Sequence, residues 1–380
     1  MKADTIDVNK NVLIWIRKTS GYSVEEIANK LKTSIDFIND VENGTEKLTL
    51  SQLKKLSSIY KKPVALFFLS KPKKEYNMPR DFRSIPEKNN IFDKKTISII
   101  NKARNIQNIL KDLQKNINYK NREKIRRANI NDNPENIANE YRQLFEFDEN
   151  KQINFKNSYD VYKYLRHSIE TFDVFTFQFS IPIGDARGFT LNDEKPNIMV
   201  INSADKIEAR IFTIMHEFGH IILGEGGIDL PEENDSNQND IERWCNRFAS
   251  SFLLPESLAD DLFKNVDNIT MDKTLVRLSN KYSISRLFLL VKMLNLNYIT
   301  KDEFDSLKYS HKNEKKLNKK DKDKYSVIPQ ERTCVSQMGY KFISIVESNY
   351  QEDFITYNDV LDLLSIKSKN YDKVIERVMK

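Results

Sequence analysis

Residues 209–225 read ARIFTIMHEFGHIILGE, and within them His216, Glu217 and His220 spell H-E-x-x-H. Two of the chain's four histidines stand here. In a helix, side chains four apart differ by about 40° in rotation and by one turn in height, so both imidazoles face one point. A tetrahedral zinc asks that of two of its ligands. Glu217 stands about 100° round from His216, where it flanks the metal and can take a proton from a water activated there. Ile211, Ile214, Met215, Phe218, Ile221, Ile222 and Leu223 surround the motif with apolar bulk; Gly219 permits a close neighbour, and Gly224, Gly226 and Gly227 end the helix. The competing reading is a core helix whose histidines bond to backbone. The complete motif on a helical segment favours the metal.

A catalytic zinc needs a third protein ligand and an open position. Glu242, in IERWCNRFASSFLLP, is the best placed. Ile241, Trp244, Cys245, Phe248, Ala249 and Phe252 recur there at helical spacing, and Glu242 lies at the edge of that stripe, in line with Cys245 and Ala249. A carboxylate in a first helical turn also suits the helix dipole. Asp229, Glu232, Glu233, Asp235 and Asp240, in the polar stretch between the motifs, are rivals. Cys245 is a soft alternative that reads better as a buried structural thiol. His167 and His311 are distant in sequence and read as surface residues.

The elements that must position these groups belong to a chain of 380 residues, long enough for two or three compact units. With 39% hydrophobic and 31% charged residues it reads as globular. No apolar run approaches the ~18 residues needed to span a bilayer, and the first residues lack a secretory pattern, so no membrane partner is expected. Two cysteines give no disulfide framework, which points to a reducing cytoplasm. Net charge is +6, but residues 71–130 carry an excess of eleven positive charges, while 225–242 hold seven acids and no Lys or Arg. The basic segment suits nucleic acid or a solvated helix; the acidic one would repel phosphate and draw in a basic peptide.

Residues 8–72 read as five short helices. Ser23 and Glu26 form a capping box, Ser34 to Asn43 a further helix ending at Gly44, and Ser51 opens the next. Two short helices joined by a tight turn are the helix-turn-helix pattern. Residues 73–150 read as a basic helical connector, with Pro134 in the first turn of a helix. Within 151–305, DVFTFQFS alternates like a strand, and NIMVINS is a second strand. Residues 306–324 read as a charged linker and 325–380 as a small module of mixed character. The expected class is mainly α with a small β component, α+β.

SVEEIANKL, with Ala28 at the helix crossing, and FINDVENG, closing through Ile38, Glu42 and Gly44, resemble the XRE/Cro-type helix-turn-helix family. The reading helix departs from it, carrying Asp36, Asp40 and Glu42 and no Lys, Arg or Gln, where base-edge readers are Arg, Lys, Asn or Gln. INSADKIEARIFTIMHEFGHIIL followed by IERWCNRFASSFLLP is similar to the ImmA/IrrE metallo-endopeptidases over about residues 160–300, with Cys245 where alanine is usual. That resemblance implies a zincin-like domain with Zn2+ held by His216, His220 and Glu242 and with Glu217 as catalytic base. It implies a cytoplasmic protease whose substrate is a regulatory protein, often a helix-turn-helix repressor, in a stress-response or mobile-element switch. Contact with DNA would come through residues 1–130, and the acidic reading helix favours protein contact. The alternatives are a metal-binding transcriptional regulator that does not cut, and a phage-defence or toxin-like protease.

Overall fold

The computed structural model describes residues 5–60, 62–72, 93–120, 124–224, 228–229, 240–308 and 328–379. Residues 73–92 of the expected connector and most of the expected linker, from 309 on, lie outside them. Two compact units form, residues 1–102 and 103–380.

In the first unit, helices α1 (Lys10–Thr19), α2 (Val24–Leu31), α3 (Ile35–Asn43) and α4 (Leu50–Tyr60) are followed by a 3-10 helix, Val64–Phe68. The five expected helices are thus four α-helices and one 3-10 turn. The Ser23–Glu26 capping box is present. Lys32 then caps α2 in the left-handed region, at φ 60°, and Ser34 caps α3, so Thr33 alone lies between the two caps. That is the tight turn of the helix-turn-helix pair. Its core is Ile27, Ala28, Ile38 and Val41 packed with Val12, Ile16 and Leu53. α4 does not open at Ser51: Thr49 accepts from Gln52 N while Gln52 Oε1 accepts from Thr49 N, so the box sits two residues earlier.

The second unit is built on a four-stranded sheet. Its strands are β3 (Val174–Phe179), β4 (Gly188–Leu191), β5 (Asn197–Asn202) and β6 (Ile228–Asp229), counted after two short strands, Thr5–Ile6 and Leu48–Thr49, in the first unit. The order is β3-β5-β4-β6, with β3 and β5 parallel and the other pairs antiparallel. Helix α5 (Lys94–Asn116) leads into the unit, and α6 (Pro134–Leu144), α7 (Glu149–Asn154) and α8 (Ser158–Glu170) precede β3. α9 (Ile207–Leu223) follows β5, and α10 (Asp240–Leu253), α11 (Glu256–Asn265), α12 (Asp272–Tyr282) and α13 (Arg286–Asn295) come next. Pro134 does occupy the start of α6, with Asn133 capping it.

The alternation expected of DVFTFQFS is not an alternation in burial, because all six residues of β3 are buried. One face lies in the core with α8 and α9, through Val174. The other meets the C-terminal segment: the Phe177 ring stands 5.4 Å from that of Phe342. From the Val174 side, Gln178 and Arg166 of α8 both donate to the carbonyl of Ser336, at 2.8 and 2.7 Å. The described part of that segment is helical, as Gln330–Met338, Tyr340–Gln351, Tyr357–Leu364 and Tyr371–Met379 joined by short turns, in place of the mixed character expected. Among the described residues, no helix is long and apolar enough to cross a membrane.

Candidate metal centre

α9 is buried along most of its length. Ile211, Ile214, Met215, Phe218, Ile221 and Ile222 are all fully buried, each contributing on the order of 1.5–3 kcal/mol to holding the helix in place. Tyr141 of α6 packs edge-on against Phe218, with ring centres 5.1 Å apart. The helix ends at Gly224, whose φ of 79° suits a residue without a Cβ. α10 packs across α9 where Gly219 faces Cys245. A Cβ at Gly219 would lie 3.2 Å from Cys245 Sγ, so the glycine sets the approach and the thiol fills the space beside it.

That approach brings three of the expected residues together. His216 Nε2 and His220 Nε2 are 3.2 Å apart, and each lies 3.2 Å from a different oxygen of Glu242. The histidines are buried, and the Glu242 side chain keeps 23% exposure, so the group reaches solvent along the α10 side. Burial opposes charge on Glu242, but hydrogen bonds to His216 and His220 outweigh it and hold the carboxyl well below the usual carboxylate range.

This cluster fits a zinc ion. Metal–ligand bonds of about 2.0–2.1 Å in tetrahedral array imply ligand–ligand edges of roughly 3.3–3.4 Å. The two nitrogens are 3.2 Å apart, and each has one Glu242 oxygen at 3.2 Å. Two imidazoles and a carboxylate that converge in a largely buried place are a donor set suited to a divalent cation. Among the described residues, the group that can hold a metal ion comprises His216, His220 and Glu242.

Glu217 is fully buried beneath β4. Thr190 Oγ1 donates to its Oε2 at 2.5 Å, and a Cβ at Gly188 would lie 3.0 Å from its Oε1. The carboxylate is thus pinned between its own helix and a strand. Sequence reasoning missed both β4 residues, since pairing in the sheet, not local spacing, delivers them. It also missed Phe212, four residues before His216, whose ring centre lies 6.3 Å from the His216 imidazole. The 3.6-residue period that linked the histidines would have found it.

The rival ligands fare differently. Asp240 is exposed and pairs with Arg243. The side chains of Asp229, Glu232, Glu233 and Asp235 lie outside the described residues, as do Gly226, Gly227 and His311. His167 is exposed on α8. In the first unit, Asp36 and Asp40 are exposed on α3, but Glu42 is not a surface charge. Arg17 Nε and Nη2 donate to its two oxygens at 2.6 and 2.8 Å, so one of the three acids counted against DNA serves to tie α3 to α1.

Comparison with known proteins agrees with this division. Residues 169–294 match the IrrE N-terminal-like domain of peptidase family M78, and residues 13–67 match a helix-turn-helix domain. The radiation response metalloprotease IrrE of Deinococcus radiodurans is 33% identical over 78 residues, 19% of this chain and 24% of that protein. Its counterpart in Deinococcus deserti is 34% identical over 87 residues, 22% of this chain and 30% of that protein. The match therefore spans less than a third of either relative's length. No solved structure gives a match of comparable significance. Residues 169–294 thus form an IrrE-like metallopeptidase domain, and residues 13–67 ahead of it an XRE-type helix-turn-helix domain.

Proposed function

We propose that the protein is a zinc-dependent endopeptidase that cleaves a regulatory protein, a helix-turn-helix repressor being the substrate its own domain pairing favours, in a stress-response or mobile-element switch. The observation that carries this reading is the convergence of His216, His220 and Glu242, through contacts of 3.2 Å, with Glu217 buried beside them. His216, His220 and Glu242 hold the metal; bound zinc supplies Lewis-acid polarisation of the scissile carbonyl and of water. Glu217 takes a proton from the attacking water at a carboxylate oxygen and returns it to the leaving nitrogen. Thr190 keeps that carboxylate oriented, and the closed packing of α9 against β4 excludes bulk water from behind it. The family match and the two IrrE relatives support a metalloprotease. The helix-turn-helix unit supports delivery to a regulatory complex, by contact with DNA or with a like domain.

The test uses Glu217→Gln and Glu242→Ala. The first should keep about one zinc per chain and retain an uncut partner in a pulldown, because it removes a base and not a ligand. The second should lose zinc. A Glu217→Gln chain that still cuts the captured partner refutes the assigned chemistry. Zinc bound in full but no cleavage by wild type would favour the non-proteolytic regulator instead.

A further inference from the structure

Between Ile211 and Ile222, α9 carries seven large apolar side chains, and Phe212 alone among them is not fully buried. It is also the one in line with the metal-facing residues, since 212, 216 and 220 follow one another at single-turn spacing. Its ring lies beside that of His216 on one side and meets Phe288 of α13 edge-on at 6.0 Å on the other. Phe288 likewise stays partly exposed.

α13 continues this apolar ground, and it does so against the usual pattern. Its cations are turned inward: Arg286 is 8% exposed and bound to Asp272, and Lys292 is 4% exposed. Its solvent side instead shows Leu287 and Val291, each 39% exposed and one turn apart. A surface helix with no task would present these residues the other way round. Scattered exposed leucines mean little, but a run that begins at the ring beside His216 is a different matter.

We propose that Phe212 and Phe288 form the wall of a subsite that takes an apolar or aromatic side chain next to the bond being cut, with Leu287 and Val291 receiving a further apolar residue of the same peptide. This rests on the peptidase reading above and adds the class of substrate. The occupant is an extended polypeptide segment with apolar residues at the cut, because the rings of Phe212 and Phe288 lead away from His216 and Val291 follows Phe288 at i+3 spacing on α13, all of them uncharged.

The zinc-loaded full chain is titrated by calorimetry with two hydroxamates, one carrying a benzyl group and one carrying hydrogen in its place. Wild type should bind the benzyl compound at least about tenfold tighter, in the range a filled apolar pocket provides. In Phe212→Ala and Phe288→Ala that ratio should fall towards one, with zinc content and melting temperature checked in each. Leu287→Gln and Val291→Gln, changes at exposed positions that the fold tolerates, should reduce the preference for apolar residues among peptides cut from a digested proteome. Equal affinity for both hydroxamates in wild type, or a ratio unmoved by the phenylalanine changes, overturns the subsite and leaves the metal centre standing. Failure of wild type to bind zinc or either hydroxamate overturns the peptidase reading and the subsite with it.

Discussion

Replacing Thr190 with valine keeps the shape of the side chain and removes one hydroxyl. In the folded protein that hydroxyl donates at 2.5 Å to Oε2 of Glu217, and both residues are fully buried. A hydrogen bond to a carboxylate contributes roughly 1.5–3 kcal/mol, and here both partners are buried. Thr190→Val should therefore lower unfolding stability by about 2 kcal/mol, read as a shift of the urea midpoint at unchanged m-value. If Glu217 is the base, the same loss of orientation should slow cleavage about 10- to 100-fold with zinc content intact. Thr190→Ser should recover most of the rate, since it restores the donor and deletes only a methyl group, at a cost of about 1 kcal/mol. The reasoning fails if Thr190→Val matches wild type in both stability and rate, or if Ser and Val behave alike.

Three further outcomes are expected. Gly188→Ala should destabilise by about 1–3 kcal/mol in urea titration, because its Cβ would stand 2.8 Å from Thr213 Cγ2 and 3.0 Å from both Glu217 Oε1 and the Val200 carbonyl. Wild-type stability in that variant would mean β4 sits less tightly on α9 than described. Arg17→Ala should destabilise the first unit by about 1–3 kcal/mol, between the values for surface and buried pairs, since the side chains of Arg17 and Glu42 are only 12% and 13% exposed. Full-length protein should bind a 20-base-pair duplex weakly and with steep salt dependence in fluorescence anisotropy, because Asp36 and Asp40 face outward on α3 and the cations lie in 71–130. Tight, salt-insensitive binding would contradict it.

What could be read from the residues alone was whatever local periodicity encodes. H-E-x-x-H, the Ser23–Glu26 box, the glycine stop at 224 and the helical stripe through Glu242 are all patterns that repeat within a turn or two. Groups joined across the fold left no such trace. Thr190 reaches Glu217 from 27 residues upstream, and Arg17 claims Glu42 from 25 residues away. The inward turn of Arg286 and Lys292 was equally hidden, because amino-acid type alone suggests that cations stay in water. β3 looked half-buried for a related reason: nothing in DVFTFQFS announces a second layer supplied from beyond residue 330.

That second layer has a consequence for how the protein comes into being on the ribosome. Phe177 finds Phe342 only after 165 further residues have been made, and the side chains of Arg166 and Gln178 wait as long for the Ser336 carbonyl. Until then a nascent chain can assemble α9 against α10 while the far side of the sheet stays uncovered and sticky. A chain stopped between α10 and residue 330 thus keeps His216, His220 and Glu242 but leaves an apolar face of β3 without its cover, a form that chaperones and proteases recognise. Completing the last helices closes that window by laying Phe342 over Phe177.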